Sequence, residues 1–250
     1  MSGHLCVIGL GPGDAALLTP QAAAALAAAS DLFGYGPYLA RVPARAGQVR
    51  HESDNREELA RARAALARAA AGARVAVVSG GDAGVFGMAA AVFEAIEHGE
   101  PAWRAFAVEV IPGVSAMLAA AARIGAPLGH DFCAISLSDN LKSWGTVTRR
   151  LDAAAAAGFV IALYNPASRA RPWQLGAAFD VLRARLPAAT PVAFATAVTR
   201  PDERIEIVTL AAADASRADM RTLILIGTAA TRLIARPGAA PWLYTPRSAA

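Results

Sequence analysis

Short runs of apolar residues alternate with longer segments of helical periodicity along most of the chain. This alternation is typical of α/β layers built from parallel strands. The apolar runs predict strands over residues 5–9, 32–35, 74–79, 105–111, 132–137, 159–164, 191–196, 204–209 and 222–226. The segments between them predict a helix that opens at Thr19-Pro20, with hydroxyl cap and first-turn proline, and helices over 55–71, 84–98, 113–124, 144–157, 173–185 and 211–217. We expect irregular structure after Arg236, where the tail carries three prolines.

The segment Gly125-Ala-Pro-Leu-Gly129 is the best candidate for a domain boundary. Two glycines and a proline interrupt both the helical and the strand periodicity there. A second series of alternating strands and helices then begins. The 250 residues are therefore expected to form two α/β domains, residues 1–127 and 128–250.

Composition narrows the class of protein. Hydrophobic residues make up 55% of the chain and charged residues 18%, which excludes disorder. The longest uncharged apolar stretch, residues 153–164, is shorter than the ~20 residues that a membrane helix needs. No basic and apolar signal segment opens the sequence, so we expect a cytoplasmic protein without membrane contact.

Charge and cysteine content add two further limits. The net charge of +4 comes from an excess of arginine over acidic residues, without a basic run of five or more, so nucleic-acid binding is disfavoured. Cys6 and Cys133 both lie in apolar, strand-like runs without a CxxC pattern or a histidine at usual ligand spacing. We interpret them as buried small side chains, with neither a disulfide nor a metal site.

Three glycine-containing loops follow predicted strands of the first domain: GLGPGD at 9–14, SGGDAGVFG at 79–87 and IPGVSA at 111–116. The first lacks the last glycine of a dinucleotide fingerprint, has Asp14 in its place, and has Pro12 without an N–H, which argues against NAD or FAD. The second lacks the GK[ST] of a nucleoside triphosphate loop. Asp82 in that loop either accepts hydrogen bonds from a ligand or caps the turn. Ser115 in the third either borders a ligand site or caps a helix.

Two comparable loops, LYNPAS at 163–168 and TAVTRPDE at 196–203, follow strands of the second domain. Ligands of open α/β sheets bind beyond the carboxyl ends of the strands. Five such loops on two domains predict one cleft between the domains.

The five motifs, in this order and covering nearly the whole chain, resemble the tetrapyrrole methylase family of cobalamin and sirohaem synthesis. The resemblance implies the α/β class III (tetrapyrrole) methyltransferase fold, with two α/β domains, an active-site cleft between them and usually a homodimer. It also implies a tetrapyrrole substrate, S-adenosyl-L-methionine as methyl donor, S-adenosyl-L-homocysteine as product, and no metal. Segments 34–39, 130–140 and LYNPAS most resemble the branch that methylates a corrin precursor and contracts its ring.

Carried over residue by residue, the resemblance implies a cofactor site formed largely by small residues and backbone groups. Its members are Pro12, Gly80, Gly81, Asp82, Val85, Ser115, Ala116, Asn165 and Val198.

The catalytic residue cannot be assigned in the same way. Relatives that methylate uroporphyrinogen have an aspartate where this chain has Gly36. Tyr35 and Tyr38, or the pair His130 and Asp131, are the candidates that remain. Candidate partners for substrate carboxylates are Arg41, Arg45, Arg50, Arg149, Arg150, Arg169 and Arg171.

Three alternatives stay open. A sibling enzyme would act on a cobalt-containing tetrapyrrole, and the sequence does not separate it from an enzyme for the metal-free substrate. A non-catalytic tetrapyrrole carrier would not need S-adenosylmethionine. A dinucleotide oxidoreductase is opposed by Pro12 and Asp14.

Overall fold

The computed structural model describes residues 3–168 and 172–248. The chain packs as two compact units, Met1–Ala116 and Met117–Ala250. The boundary expected from the sequence, 127/128, lies further along the chain. Helix α5 (Ala116–Ile124), which that boundary gives to the first domain, therefore groups almost wholly with the second unit.

The first unit is a parallel five-stranded sheet with helices on both faces. Its strands lie in the order β3-β2-β4-β1-β5, and every neighbouring pair is parallel. The elements are β1 (His4–Gly9), α1 (Pro20–Ala28), β2 (Asp31–Tyr35), α2 (Gly36–Leu39), β3 (Val49–Ser53), α3 (Glu58–Ala70), β4 (Arg74–Ser79), α4 (Met88–Glu97) and β5 (Ala107–Ile111).

Strand β1 shows how the sequence produces the two helical layers. Successive side chains of a strand point to opposite faces. Leu5 and Val7 pack in the core formed with α3 and α4, whereas Cys6 and Ile8 pack in the core formed with α1. This double burial explains why β1 reads as a continuous apolar run.

Helix α1 begins as predicted. The Thr19 hydroxyl accepts a hydrogen bond from the backbone N–H of Ala22 at 3.1 Å, and Pro20 occupies the first turn. Three other helices begin at least three residues later than predicted, among them α5, which begins at Ala116 rather than residue 113. Helix α3 begins at Glu58 rather than residue 55, and α4 begins at Met88 rather than residue 84.

Strand β3 was not predicted, because VRHES has too few apolar residues to give a strand signal. It is an edge strand held to β2 by more than backbone pairing. The Asp31 carboxylate is buried, and its Oδ1 lies 2.9 Å from His51 Nε2 and 2.8 Å from Arg68 Nε. The His51 ring also stacks on Phe33 at 4.1 Å between centroids.

The second unit contains a mixed sheet in the order β10-β9-β11-β8-β7. Strands β7 and β8 are parallel, whereas β11 is antiparallel to β8 and β9, and β10 is antiparallel to β9. The elements after α5 are β6 (Gly125–Ala126), β7 (Phe132–Ser136), α6 (Trp144–Ala156), β8 (Val160–Tyr164), α7 (Gln174–Arg183), β9 (Pro191–Thr196), β10 (Arg204–Thr209), β11 (Thr222–Ile226), β12 (Arg232–Arg236) and β13 (Ala239–Tyr244). The expectation of parallel layers throughout was wrong for this unit, since apolar runs do not encode strand direction.

Two other predictions for the second unit were wrong. The tail is not irregular: β12 and β13 form a hairpin around Pro237-Gly238, where Gly238 has φ +67°. Proline followed by glycine favours this turn, because the turn requires a positive φ at its second central residue. The helix expected over 211–217 is a single 3₁₀ turn, Ala215–Arg217.

Within the two described stretches, none of the helices has the length and apolar content required to cross a membrane.

We predict that Asp31→Asn lowers the free energy of unfolding by about 2 kcal/mol, because a buried, charge-assisted acceptor is lost. Burial alone would raise the pKa of Asp31, but hydrogen bonds from His51, Ser30 and Arg68 outweigh it and lower that pKa. A lowered pKa in the folded state gives stability that is present above the unfolded value, about 3.9, and is lost as the pH falls through the folded value.

Urea unfolding at several pH values tests this prediction. The difference between wild type and Asp31→Asn should narrow between pH 5 and pH 3. Asp152→Asn is the control, because it breaks an exposed pair with Arg185 and should change stability little. A stability of Asp31→Asn equal to wild type at pH 6 would contradict the assigned role.

Candidate functional site

Three loops of the first unit meet at the carboxyl edge of its sheet. They follow β1, β4 and β5, and they lie side by side because these strands are adjacent in the order β4-β1-β5. The first two loops are joined by a reciprocal pair of hydrogen bonds. Gly11 N–H donates to the Gly81 carbonyl at 3.0 Å, and Gly81 N–H donates to the Gly11 carbonyl at 2.9 Å. The first two loops therefore act as one backbone unit. Together with the third loop, they form what we call the glycine platform.

Glycine is required at this platform because the three backbones nearly touch. A Cβ added at Gly9 would lie 2.7 Å from Gly113 N and 2.8 Å from the Gly81 carbonyl oxygen. A Cβ at Gly113 would lie 2.4 Å from that same oxygen. Any side chain at either position would push the loops apart.

Gly81 is constrained in a different way. Its φ of +66° is in the left-handed region that glycine adopts most readily. A Cβ there would meet Ala116 N and Ser115 Cα at 3.7 and 3.8 Å, which is ordinary contact. Three predicted cofactor residues, Gly81, Ser115 and Ala116, are therefore brought together in this unit.

Asp82 ties the second loop to the third. Its Oδ1 accepts a hydrogen bond from Gly84 N–H at 2.8 Å, and its Oδ2 accepts one from Gly113 N–H at 2.9 Å. The turn-capping interpretation is thus correct for one oxygen, while the other oxygen fixes the neighbouring loop. Nearby, Pro12 is buried and Val85 is half-buried in the same two glycine loops.

Tyr38 lies directly against the second loop. A Cβ at Gly80 would fall 2.7 to 2.9 Å from three atoms of the Tyr38 phenol. The Tyr35 ring packs edge-on to Tyr38, with 5.5 Å between centroids. Tyr38 therefore borders the glycine platform, and Tyr35 packs behind it on Tyr38.

The structure places an unpredicted carboxylate beside Gly36. A Cβ at Gly36 would lie 1.9 Å from Glu52 Oε1, so the Glu52 carboxylate occupies the space that a side chain at position 36 would take. Glu52 reaches this place from β3, where it pairs with Gly34 of β2. Sequence reasoning missed it because β3 itself was not predicted.

Two candidate arginines hold the backbone of the first unit together. Arg41 Nη2 donates to the carbonyls of Leu10 and Gly11 at 2.8 and 2.9 Å. Arg50 donates to the carbonyls of Leu39 and Val42 at 2.9 and 2.7 Å. Among the remaining candidates, Arg45, Arg149 and Arg150 are exposed, and Arg169 and Arg171 lie outside the described residues.

Arg61 is a buried arginine that the sequence did not single out. Its guanidinium donates to Ser53 Oγ at 2.7 Å and to the Asp54 carbonyl at 2.6 Å, and it contacts the sulfur of Met88. Burial lowers the pKa of this guanidinium below its ordinary value. These contacts join the end of β3 to the start of α4, just behind the second glycine loop.

In the second unit, strained backbone marks the two predicted loops. Asn165, which follows β8, has φ +52°, and its side-chain amide donates to Ser136 Oγ at 2.9 Å. Ala197 and Thr199, which flank the buried Val198, have φ +50° and +68°. Such conformations are uncommon for residues with a side chain, and they concentrate at functional sites.

Glu203 supports the second of these loops. Its Oε2 accepts hydrogen bonds from Thr199 N–H at 2.5 Å and from Arg123 Nε at 3.1 Å. These bonds hold the turn after β9 in its strained form.

The candidate pair His130 and Asp131 shows a local contact. His130 Nδ1 accepts a hydrogen bond from the Asp131 backbone N–H at 2.8 Å, and the Asp131 side chain is 81% exposed. This contact joins only the two neighbouring residues and does not test catalysis, so their catalytic role stays a prediction.

Comparison with known proteins identifies the class. Residues 4–214 match the family Tetrapyrrole (Corrin/Porphyrin) Methylases, and the chain belongs to this family. It is 61% identical over 99% of its length to a precorrin-3B C(17)-methyltransferase of Sinorhizobium sp, of which it covers 97%. It is 42% identical over 91% of its length to a probable cobalt-factor III C(17)-methyltransferase of Salmonella typhimurium, of which it covers 93%.

A solved structure agrees with the fold. The crystal structure of the methyltransferase CobJ has a TM-score of 0.93 and 51% sequence identity, covering 98% of this chain and all of that one. The predicted family and its α/β class III methyltransferase fold are therefore confirmed.

We predict that Gly113→Ala destabilises the protein by about 1–3 kcal/mol, because the new Cβ would press on the Gly81 carbonyl. Gly176→Ala is the matched control: in helix α7 its Cβ meets no atom of the described residues within 4 Å, so it should be neutral or stabilise by up to about 1 kcal/mol. Chemical unfolding of both variants measures the difference. Equal stability of the two variants would show that the loops do not depend on this contact.

Proposed function

We propose that this protein is an S-adenosylmethionine-dependent C-methyltransferase that methylates C-17 of precorrin-3B with ring contraction, giving precorrin-4. The observation that carries the proposal is the 61% identity with the Sinorhizobium precorrin-3B C(17)-methyltransferase along nearly the whole of both chains. The motifs that define the glycine platform all fall within that matched length.

The residues of the platform fit S-adenosylmethionine. The cradle between Gly81 and the Ser115–Ala116 turn has no side chain at position 81, so backbone groups border it directly. We propose that Gly80, Gly81, Val85, Ser115, Ala116 and Pro12 line the cofactor site in the first unit. Asn165 and Val198 of the second unit stay predictions from the family resemblance. Small residues and exposed main-chain groups suit a nucleoside with a short charged tail.

Asp82 then has a positioning role. Both of its oxygens already accept a backbone N–H, which fixes the second and third loops relative to each other. Each carboxylate oxygen can accept one further hydrogen bond from a ligand hydroxyl or ammonium group.

S-adenosylmethionine, when bound, supplies an electrophilic sulfonium methyl group. The chain's own part is to align the macrocycle carbon with that methyl group and to exclude water. Arg41 contributes by holding the Leu10 and Gly11 carbonyls, and hence the first loop.

We further propose that Glu52 is the proton acceptor for the ring hydroxyl whose deprotonation starts the contraction. Its carboxylate occupies the space beside Gly36, the position where uroporphyrinogen-methylating relatives have an aspartate. Tyr35 and Tyr38, which flank Gly36 in the sequence and pack edge-on against each other, would orient the macrocycle. His130 and Asp131 are the competing pair.

A cobalt-containing substrate is the second candidate, because the Salmonella relative with 42% identity is named for cobalt-factor III. A tetrapyrrole carrier without catalysis is the candidate from another class. Comparing the turnover of metal-free and cobalt-loaded substrate distinguishes the two possible enzymes. Binding of S-adenosylmethionine distinguishes an enzyme from a carrier, because a carrier does not need the cofactor. We also propose, from the family resemblance, that the protein is a cytoplasmic homodimer.

Calorimetry tests the cofactor proposal. We expect S-adenosylhomocysteine to bind and NAD not to bind. Asp82→Ala should weaken the binding of S-adenosylhomocysteine by about tenfold, or ~1.4 kcal/mol. It should also lower the melting temperature by a few degrees, because the hydrogen bonds that connect the second and third loops are lost. Asp214→Ala, which removes a single capping bond to Ser216, should leave the affinity unchanged. An unchanged affinity in folded Asp82→Ala would remove Asp82 from the site.

Single-turnover methylation of precorrin-3B tests the proton acceptor. Glu52→Gln should slow product formation by about 10²-fold or more while keeping the affinity for S-adenosylhomocysteine, since general-base catalysis contributes that much. Asp131→Asn is the control and should react at the wild-type rate. A slow Asp131→Asn with a normal Glu52→Gln would assign the role to the competing pair.

A further inference from the structure

We propose that His4, Cys6 and Glu109 form a binding site for a divalent transition metal, best suited to Zn²⁺, on the α1 face of the first unit's sheet. Imidazole nitrogen, thiolate sulfur and carboxylate oxygen are the three ligand types that zinc takes in proteins. This inference is independent of the proposed methyl transfer.

Strand pairing brings the three side chains together. His4 and Cys6 are two residues apart on β1, so their side chains lie on one face. Glu109 of β5 is the registered partner of Cys6 in a parallel pair, which puts its side chain on the same face. The usual spacing rules miss this set, because one ligand comes from a strand more than a hundred residues away in the sequence.

The distances are close to those of a coordination sphere. Cys6 Sγ lies 3.6 Å from His4 Nδ1 and 4.0 Å from Glu109 Oε2. The other ring nitrogen of His4, Nε2, lies 3.9 Å from that oxygen, and an ion would take one of the two nitrogens. One ligand atom from each residue falls within 4.8 Å of the other two. A tetrahedral zinc ion with bonds of about 2.0–2.3 Å separates its ligands by roughly 3.3–3.8 Å. Small side-chain rotations would therefore close the site.

The surroundings support an ion with an open fourth position. The three ligands line a cavity of about 330 Å³, which also borders Gln21, Arg74 and alanines of α1. Gln21 Nε2 donates to Glu109 Oε1 at 2.8 Å, leaving Oε2 toward Cys6. Such outer hydrogen bonds orient ligands in metal sites. The small alanine side chains leave room for water or another exogenous ligand.

Charge balance favours a dication. A bound ion would displace the thiol proton to solvent and form the metal–sulfur bond, so Cys6 and Glu109 together would offset two positive charges. The Arg74 charge opposes a cation in the same cavity, so we expect weaker binding than in a closed four-ligand site.

The site lies apart from the glycine platform. His4 is the first residue of β1 and Gly9 the last, so at about 3.3 Å per residue the two ends are roughly 16 Å apart. A metal there would connect β1 to the edge strand β5.

Zinc titration of the full-length, tag-free protein, after dialysis against a chelator, tests the proposal. We expect one equivalent to bind, and Co²⁺ to give a thiolate charge-transfer band in the near ultraviolet. Cys6→Ser should abolish the band and lower the affinity for Zn²⁺ by at least about 100-fold. Glu109→Gln should lower that affinity by about 10-fold or more.

Cys133→Ser is the matched control, because Cys133 is the other free cysteine and lies in the second unit. It should bind Zn²⁺ like wild type. The half-exposed His4 and Glu109 allow His4→Ala and Glu109→Gln to decide the matter even if Cys6→Ser does not fold. Absence of zinc binding by wild type, binding unaffected by the His4 and Glu109 changes, or loss of the cobalt band in Cys133→Ser would overturn the proposal.

Discussion

The first unit depends on the contact of three glycine backbones at the edge of its sheet. Gly9, Gly81 and Gly113 approach so closely that a single methyl group at the first or third position would overlap a neighbouring backbone atom. Two hydrogen bonds between Gly11 and Gly81 lock the first pair of loops. The strand order β4-β1-β5 makes this meeting possible, because it brings three loops from distant parts of the sequence to adjacent positions.

Charged side chains stabilise this arrangement without lying at its centre. Asp82 holds the third loop, Arg41 holds the first, and Arg61 fastens the end of β3 behind the second. The resulting surface consists mainly of main-chain groups and small residues, as a site for a nucleoside needs. The side chains proposed to act on the macrocycle lie on three successive elements: Tyr35 on β2, Tyr38 on α2 and Glu52 on β3.

The sequence predicted this unit well where burial on both faces produced continuous apolar runs, as in β1 and β4. The prediction failed for β3. The residues of this strand, VRHES, are mostly polar, and the strand is held in the sheet by the contact of His51 with the buried Asp31 rather than by its own hydrophobicity. The same failure hid Glu52, because only strand pairing brings it to Gly36. In the second unit, strand direction was missed because sheet packing sets it. The β12–β13 hairpin was missed because two of the tail's three prolines are compatible with it: Pro237 lies in the turn, and Pro241 lies where the strand pairing shifts. The convergence of Glu109 on His4 and Cys6 likewise follows from register alone.

Amide hydrogen exchange with and without S-adenosylhomocysteine tests the central claim most directly. If the glycine platform holds the cofactor, ligand should slow exchange in residues 9–14, 80–86 and 112–116 of the first unit. Binding that leaves exchange in all three glycine loops unchanged, while protecting other segments, would contradict the account.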